Sequence, residues 1–259
     1  MFLNPYLGQD ESFDSFRTSV ANASTDILSF PNITSISGFD SGAIVAAGVD
    51  GLLVRSTNGT LWSPISDRNR RFAGTPINFI TGISGRGWAL QSNRMLRSTD
   101  NGVSWNVVRY TSGETLQSIS FADANNGWAV GSQSEAFVLR TTGGGDYGTW
   151  SSVDLSSLSL PSCTLCRVSA AGSEGVVACG SSGIVISRVQ SGGVWTWVKA
   201  TGIPNVTYNS VALKQSGSTY VGWVVGGNGK ILKTNDSGAT WLEQNSGQTI
   251  SLNRVYALD

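Results

Sequence analysis

The stretch RSTDNGVSW at residues 97–105 decides the fold, because a close copy, KTNDSGATW, recurs at residues 233–241. Both copies place a basic residue, a small hydroxyl residue, an Asp, a Gly and a final Trp at matching positions. An Asp side chain can accept hydrogen bonds from backbone N–H groups two or three residues further on. Gly adopts backbone conformations that strain other residues. The repeated stretch, called the box turn below, therefore predicts a tight turn whose Trp enters the core.

The matching side chains of the box turn are assigned a structural role. They are Ser98, Asp100, Gly102, Trp105, Thr234, Asp236, Gly238 and Trp241. A calcium site is the functional alternative, but one carboxylate in each turn falls short of the roughly six to eight oxygen ligands that calcium takes. Other copies are altered: RSTNGTLW at 55–62 is shorter, and TTGGGDYGTW at 141–150 is longer. A turn tolerates such changes, whereas a catalytic residue does not.

Three sequence markers repeat in the same phase along the chain. The first is a Trp that recurs at intervals of 43 to 47 residues, at Trp62, Trp105, Trp150, Trp197 and Trp241. The second is a short apolar strand, written GWAL (87–90), GWAV (127–130) and GWVV (222–225). The third is an alternating strand, written ITSISGF (33–39), INFITGI (77–83), LQSISFA (116–122), CRVSAAG (166–172) and YNSVALK (208–214). Four short strands in a repeat of about 40 to 45 residues are typical of a β-propeller blade.

The repeats predict an all-β fold, a β-propeller of four-stranded antiparallel blades in residues 33–259. Five repeats are complete, and LNRVYALD at 252–259 begins a sixth copy. An unpaired strand exposes backbone donors and acceptors, so we expect it to have a partner. Residues 1–32 match three strands in length, which favours a sixth blade closed by the two chain termini. The alternatives are five blades with a separate N-terminal arm, or docking of either end onto a neighbouring molecule.

Composition limits the classes of function. The chain has 259 residues, no His, and 17 basic against 17 acidic residues. Because no basic excess exists, we expect no nucleic-acid partner. No apolar run reaches the roughly 18 to 20 residues of a membrane span. Without His there is no Ser–His–Asp triad, and no spacing singles out a catalytic pair of carboxylates. We therefore expect no catalytic residue, no cofactor and no metal.

The box turns and their flanking strands resemble Asp-box, or BNR, repeats. The stretch ISFADANNGWAVGS (119–132), followed by VLRTTGGG (138–145), is similar to the photosystem II stability/assembly factor family. The resemblance covers most of residues 33–259. It implies a non-enzymatic β-propeller that helps to assemble a membrane photosystem. Members of that family are described with seven blades, more than this chain shows, and similar boxes occur in sialidases, sortilin-type receptors and glycan hydrolases.

Three functions follow from this pattern. The first is a non-catalytic protein-binding scaffold or assembly factor. The alternative is a secreted structural or adhesive glycoprotein that self-associates through its terminal strands, and the third is a glycan-active enzyme. A glycan is a further candidate partner. No signal peptide is visible, so an exported location, outside the cell or in the thylakoid lumen, requires that a targeting peptide has been removed.

Arg68, Arg70 and Arg71 form the densest positive cluster in the sequence. Arginine forks suit carboxylates and phosphates, so these residues are the candidate binding site, with ordinary solvated surface as the alternative. If the chain is exported, three N-x-S/T sequons are candidate glycan carriers. These sequons begin at Asn22, Asn32 and Asn205.

Cys166 and Cys179 flank the turn AAGSEG almost symmetrically. A cross-strand disulfide between them fits that spacing. Buried free thiols are the alternative interpretation. Three cysteines without a His make a poor zinc site, since a structural zinc takes four ligands.

Overall fold

A computed structural model describes residues 32–65, 74–92, 94–172 and 174–257. These residues form five antiparallel sheets of four strands each, and they contain no α-helix. Within every sheet the strands lie side by side in chain order. This arrangement confirms the predicted four-stranded antiparallel blades and the five complete repeats.

The strands are given sheet by sheet. The first sheet contains β1 (Ile33–Gly38), β2 (Ile44–Gly48), β3 (Leu53–Ser56) and β4 (Ser63–Pro64). The second contains β5 (Ile77–Ile83), β6 (Arg86–Gln91), β7 (Arg94–Ser98) and β8 (Asn106–Tyr110). The third contains β9 (Thr115–Phe121), β10 (Gly127–Gln133), β11 (Glu135–Thr141) and β12 (Ser151–Ser152). The fourth contains β13 (Leu165–Ala171), β14 (Gly175–Gly180), β15 (Val185–Ser191) and β16 (Val194–Lys199). The fifth contains β17 (Tyr208–Ser216), β18 (Thr219–Gly226), β19 (Ile231–Thr234) and β20 (Leu242–Gln244).

The chain divides into two compact units. The first comprises Met1–Ser92 with Leu96–Asn106, and the second comprises Asn93–Met95 with Val107–Asp259. In the first unit, the Gly-Trp marker of β6 has a packing reason. A side chain at Gly87 would come within 2.7 Å of the Phe39 ring and 2.8 Å of the Trp105 ring. Only glycine leaves room there for both rings.

In the second unit, β14 is buried on both faces. Val176 and Ala178 belong to a buried cluster with Trp128, whereas Val177 and Cys179 belong to a second buried cluster. Successive side chains of a strand point to opposite faces of the sheet. The fourth sheet is therefore covered on both sides, as a blade between two neighbouring blades is, and this explains its continuous apolar sequence.

Serine hydroxyls join the first strands of successive sheets. In the second unit, Ser118 of β9 accepts the Val168 N–H at 3.3 Å, and Ser169 of β13 accepts the Leu213 N–H at 3.0 Å. In the first unit, Ser35 accepts the Ile80 N–H at 3.1 Å. These serines come from the alternating marker of the sequence, so the repeat also specifies how one first strand binds the next.

The predicted sixth copy, LNRVYALD, has the position of a first strand but is part of no sheet among the described residues. The Val255 N–H donates to the Ser210 hydroxyl at 3.3 Å, and the Asn209 side chain donates to the Leu252 carbonyl at 3.0 Å. The Val255 bond is of the same kind as the serine bonds that join β9 to β13 and β13 to β17. Closure of a sixth blade by residues 1–32 remains a prediction, because residues 1–31 lie outside the described part of the chain.

Over the four described stretches, no helix has the length and apolar character needed to cross a bilayer.

Candidate functional site

The two full box turns have the same hydrogen bonds. In the first, Asp100 Oδ1 accepts the Ser104 backbone N–H at 2.9 Å and the Ser98 hydroxyl at 2.7 Å. Asp100 Oδ2 accepts the Ser104 hydroxyl at 2.5 Å, and the Gly102 N–H donates to the Ser98 hydroxyl at 2.9 Å. The Ser104 amide lies four residues beyond Asp100, one residue further than the sequence predicted, and the Val103 amide, three residues on, also lowers the pKa of this carboxyl. Both carboxylate oxygens are therefore engaged in holding the turn.

The second box turn repeats this bonding in the other unit. Asp236 Oδ1 accepts the Thr240 N–H at 2.9 Å and the Thr234 hydroxyl at 2.7 Å. The Gly238 N–H donates to the same Thr234 hydroxyl at 2.9 Å. The closing Trp241 is buried, as is Trp105 of the first turn.

Hydrogen bonding sets the protonation of both box carboxylates. Partial burial works to raise the pKa of Asp100, but bonds from Ser104 and Ser98 outweigh it, so this pKa lies below its usual value. The pKa of Asp236 is lowered in the same way by Thr240 and Thr234, again against partial burial. A carboxylate that accepts several hydrogen bonds keeps its charge to lower pH.

The cysteines form no disulfide in this structure, which corrects the predicted Cys166–Cys179 bond. All three cysteines are free thiols. The register shifts in β13 and places Arg167, not Cys166, opposite Cys179. The Cys179 thiol is buried and donates to the Tyr208 carbonyl at 3.6 Å, and burial raises its pKa. A buried thiol with a raised pKa is a packing residue rather than a nucleophile.

An open aromatic pocket lies in the second unit, at the outer strand of the second sheet and the loop between β11 and β12. Its volume is about 260 Å³. The lining consists of Val108, Arg109, Tyr110, Tyr147, Gly148 and Trp150. Tyr110 is 65% exposed and Tyr147 is 83% exposed, whereas Trp150 and Val108 are buried. The pocket thus has a buried apolar floor and two aromatic side chains open to solvent.

The loop that carries Tyr147 is held firmly. The Thr141 and Thr149 hydroxyls, one at each end of the loop, form a hydrogen bond of 2.9 Å. The Gly145 N–H donates to the Thr141 hydroxyl at 3.2 Å. The Thr149 N–H donates to the Asp146 carbonyl at 3.1 Å. This loop is the long third copy of the box turn, and its extra residues place Tyr147 at the surface.

The charged residue that lines the pocket, Arg109, belongs to an ion pair. Arg109 donates to Glu114 at 2.9 Å, and Glu114 also accepts the Ser112 backbone N–H. Arg109 is the single charged residue in the lining, and Glu114 neutralises it. The lining is therefore aromatic and close to neutral.

A second arginine group of the same unit centres on Glu174. Its carboxylate binds Arg140 at 2.6 Å and also contacts Arg188. Arg140 lies over the Trp128 ring, with its guanidinium carbon 5.7 Å from the ring centre. Burial and the charge of Arg140 lower the pKa of Arg188. These contacts indicate a structural ion-pair network.

Several predicted site residues lie outside the described part of the chain. They are Arg68, Arg70, Arg71 and Asn22. Asn32 and Asn205 are described, and both side chains are exposed. Glycosylation at either residue remains a prediction.

The sequence reasoning missed the aromatic pocket. Its residues come from two repeats, and one signal was present in each. Tyr110 ends an outer strand with no apolar neighbour after it, and Tyr147 lies in the extra residues of the third box turn. An aromatic residue in an otherwise polar insertion is a useful indication of a binding surface.

Comparisons with known proteins agree with the fold. The sequence model of the Photosynthesis system II assembly factor YCF48 family matches residues 97–219. No curated protein sequence matches the chain. The solved structure "YCF48 bound to D1 peptide" has a TM-score of 0.59 and 16% identity, over 82% of this chain and 66% of that chain. YCF48 from Cyanidioschyzon merolae has a TM-score of 0.49 and 14% identity, over 86% of this chain and 88% of its own.

A structure of an ancestral GH74 enzyme is also similar, with a TM-score of 0.63 and 17% identity. It is matched over 86% of this chain and 32% of its own length. At such identities the likeness is one of fold. The box turns and the five four-stranded sheets show a β-propeller fold, and residues 97–219 resemble the Asp-box (BNR) repeat family of the photosystem II assembly factor YCF48.

Proposed function

We propose that this chain is a non-catalytic β-propeller that binds a segment of a protein partner, as a scaffold or assembly factor. The observation that carries the proposal is the aromatic pocket with exposed Tyr110 and Tyr147. Large aromatic side chains supply contact area at little cost in conformational entropy, and they are enriched at protein interfaces. The firmly held loop under Tyr147 fits a preorganised binding surface.

The position of the pocket in the sequence supports this proposal. All its residues, from Val108 to Trp150, lie within the stretch 97–219 that matches the assembly-factor family. The similar YCF48 structure has a D1 peptide bound to it. Peptide binding is therefore a known use of this fold, and the partner of this chain is to be identified by experiment.

Catalysis is the rival proposal, since a GH74 enzyme shares the fold. Glycoside hydrolysis by two carboxylates needs an acid on each side of the scissile bond. Beside the pocket, Glu114 is already bound to Arg109 and to the Ser112 amide. That arrangement favours binding over acid–base chemistry.

A selection experiment tests the proposed function. A random peptide library is selected on the purified protein and counter-selected on Tyr147→Ala, whose exposed side chain can be removed without opening the core. We expect enriched peptides that bind the native protein at least tenfold more tightly than the variant. Equal binding to both proteins would place the site elsewhere. Turnover of a β-glucan or a sialoside by the native protein would replace the proposal with the enzymatic one.

Self-association is a second candidate, favoured by the position of Leu252–Ala257. This segment is held beside β17 yet pairs with no other strand in the described ranges, and Tyr256 is 81% exposed. Strand edges of this kind accept strands from other molecules. Sedimentation at micromolar concentrations tests it: assemblies that disappear when residues 252–259 are deleted support it, and a monomer at all concentrations contradicts it.

The glycoprotein hypothesis belongs with this second candidate. The exposed side chains of Asn32 and Asn205 are accessible for modification. Intact-mass measurement on native material tests this hypothesis. Hexose-containing mass increments would support export, outside the cell or into the thylakoid lumen if a targeting peptide is removed. An unmodified mass would count against glycosylation.

A further inference from the structure

The aromatic pocket also indicates which kind of peptide it takes, an inference that rests on the proposed function. We infer that it binds an extended, uncharged segment containing proline. The volume of about 260 Å³ lies below the roughly 300 to 1,000 Å³ of pockets that enclose small molecules. A pocket of this size suits a few side chains of a larger partner and not an enclosed cofactor.

Charge decides against an acidic or a basic segment. The one charged lining residue, Arg109, is paired with Glu114 at 2.9 Å. An acidic peptide would have to compete with Glu114 for the Arg109 guanidinium, and a basic peptide would have to compete with Arg109 for the Glu114 carboxylate, so neither finds a free counter-charge. A neutral lining is complementary to a neutral segment.

The polar groups of the lining decide against a sugar. Carbohydrate hydroxyls need several donors and acceptors at fixed positions, or burying them leaves hydrogen bonds unmade. The lining contains no Asn, Gln, Asp or Glu side chain. Its polar side-chain groups are the Arg109 guanidinium, the two tyrosine hydroxyls and the buried Trp150 indole N–H. These few groups suit the sparse carbonyl acceptors of a peptide backbone better than a ring of hydroxyls.

The aromatic side chains favour proline. Grooves lined by aromatic residues recognise proline-rich segments, whose extended left-handed helix is preformed and loses little entropy on binding. Its carbonyl groups make no internal hydrogen bonds. Tyr110 and Tyr147 have exposed rings against which proline rings can pack. The buried side chains of Trp150 and Val108 form the floor. Arg109 gives one N–H to Glu114, and its other N–H groups can bind a peptide carbonyl.

Calorimetry with two matched peptides tests the inference. One is a blocked, uncharged peptide of about ten residues with the repeated unit Ala-Pro-Pro-Leu-Pro, and the other has every proline replaced by alanine. We expect the proline peptide to bind at least tenfold more tightly than the alanine peptide. Tyr147→Ala and Tyr110→Ala should each weaken it about tenfold, and Tyr147→Phe, which keeps the ring, should restore binding.

Leu242→Ala is the matched control variant, because Leu242 is 68% exposed in the same unit and does not line the pocket. It should leave affinity unchanged. Equal affinity for both peptides overturns the proline inference and leaves the proposed function intact. If the proline peptide does not bind but the library-selected peptides still require Tyr147, the proline inference is likewise overturned and the proposed function is kept. Tyr147-dependent binding of a cello-oligosaccharide without peptide binding overturns both.

Discussion

Asp236 accepts two hydrogen bonds from Thr240, one from the backbone N–H at 2.9 Å and one from the hydroxyl at 2.6 Å. Asp100 and Ser104 repeat this relationship at 2.9 and 2.5 Å in the other compact unit. Two turns that are far apart in sequence thus share their bonding to within 0.1 Å. The two turns therefore have the same geometry, which explains why the same residue types recur at matching positions.

Replacing the carboxylate should loosen the turn. We expect Asp236→Ala to lower the free energy of unfolding by about 1 kcal/mol, as loss of a comparable side-chain cap does. For a chain of this size that corresponds to roughly 2 to 4 °C in melting temperature. Thr240→Ser is the control, because it keeps both donors and should melt like the native protein. An unchanged melting temperature with lost peptide binding would instead assign the box turn to a ligand.

The same carboxylates should make stability depend on pH. The pKa values of Asp100 and Asp236 are lower in the folded protein than the unfolded value of about 3.9. A lowered folded-state pKa stabilises the fold fully above the unfolded pKa, and this contribution is lost as pH falls through about 4 and below. Denaturant unfolding between pH 7 and pH 3 should show the native protein losing more stability than the Asp100→Asn, Asp236→Asn double variant. Parallel pH curves would contradict the shifted pKa values.

The glycine of the second box turn should be hard to replace. Gly238 has φ of 87°, and an added Cβ would lie 2.3 Å from the Ser187 hydroxyl oxygen. Gly217 also has a positive φ, 61°, but a Cβ there meets no atom within 4 Å. Gly217→Ala should therefore show the backbone strain alone, about 1 kcal/mol, and Gly238→Ala should cost about 1 to 3 kcal/mol more. Equal losses by chemical denaturation would show that Ser187 moves away without cost.

The sequence predicted the blades because each strand follows local rules. The Trp spacing gave the repeat length, and Trp62, Trp105, Trp150 and Trp241 are buried, with Trp197 partly so. The alternating marker predicted the first strand of each sheet, and its serines bind the neighbouring first strand. The alternating strand recurs in all five repeats and its serines in four of them, so periodicity reveals both.

The pocket and the strand register at the cysteines could not be predicted from the sequence, because both depend on residues that differ between repeats. Tyr147 lies in the extra residues of the third box turn, and Tyr110 lines the same pocket from another repeat. The shift in β13 moves Cys166 away from its expected partner by one position. A one-residue shift changes every cross-strand pair, and spacing alone does not reveal it.

Removing the negative charge between two arginines should destabilise the second unit. Glu174 pairs with Arg140 and Arg188, and all three side chains are less than a third exposed. Glu174→Gln leaves two neighbouring positive charges without a counter-ion, so we expect a loss of about 1 to 3 kcal/mol in the free energy of unfolding. The matched control is Glu243→Gln, because the Lys230–Glu243 pair is more exposed and should contribute only about 0 to 1 kcal/mol.

Salt and a second substitution separate charge from packing in this network. High salt should reduce the loss caused by Glu174→Gln, since added ions screen the repulsion between Arg140 and Arg188. Adding Arg188→Met to Glu174→Gln should recover part of the lost stability, because it removes one of the two like charges while keeping an apolar stem beside Trp195. Denaturant midpoints of the four proteins form a double-mutant cycle. If the effects of the two substitutions on the free energy of unfolding are simply additive, the arginines are held by their contacts with the Trp128 and Trp195 rings and not by the carboxylate.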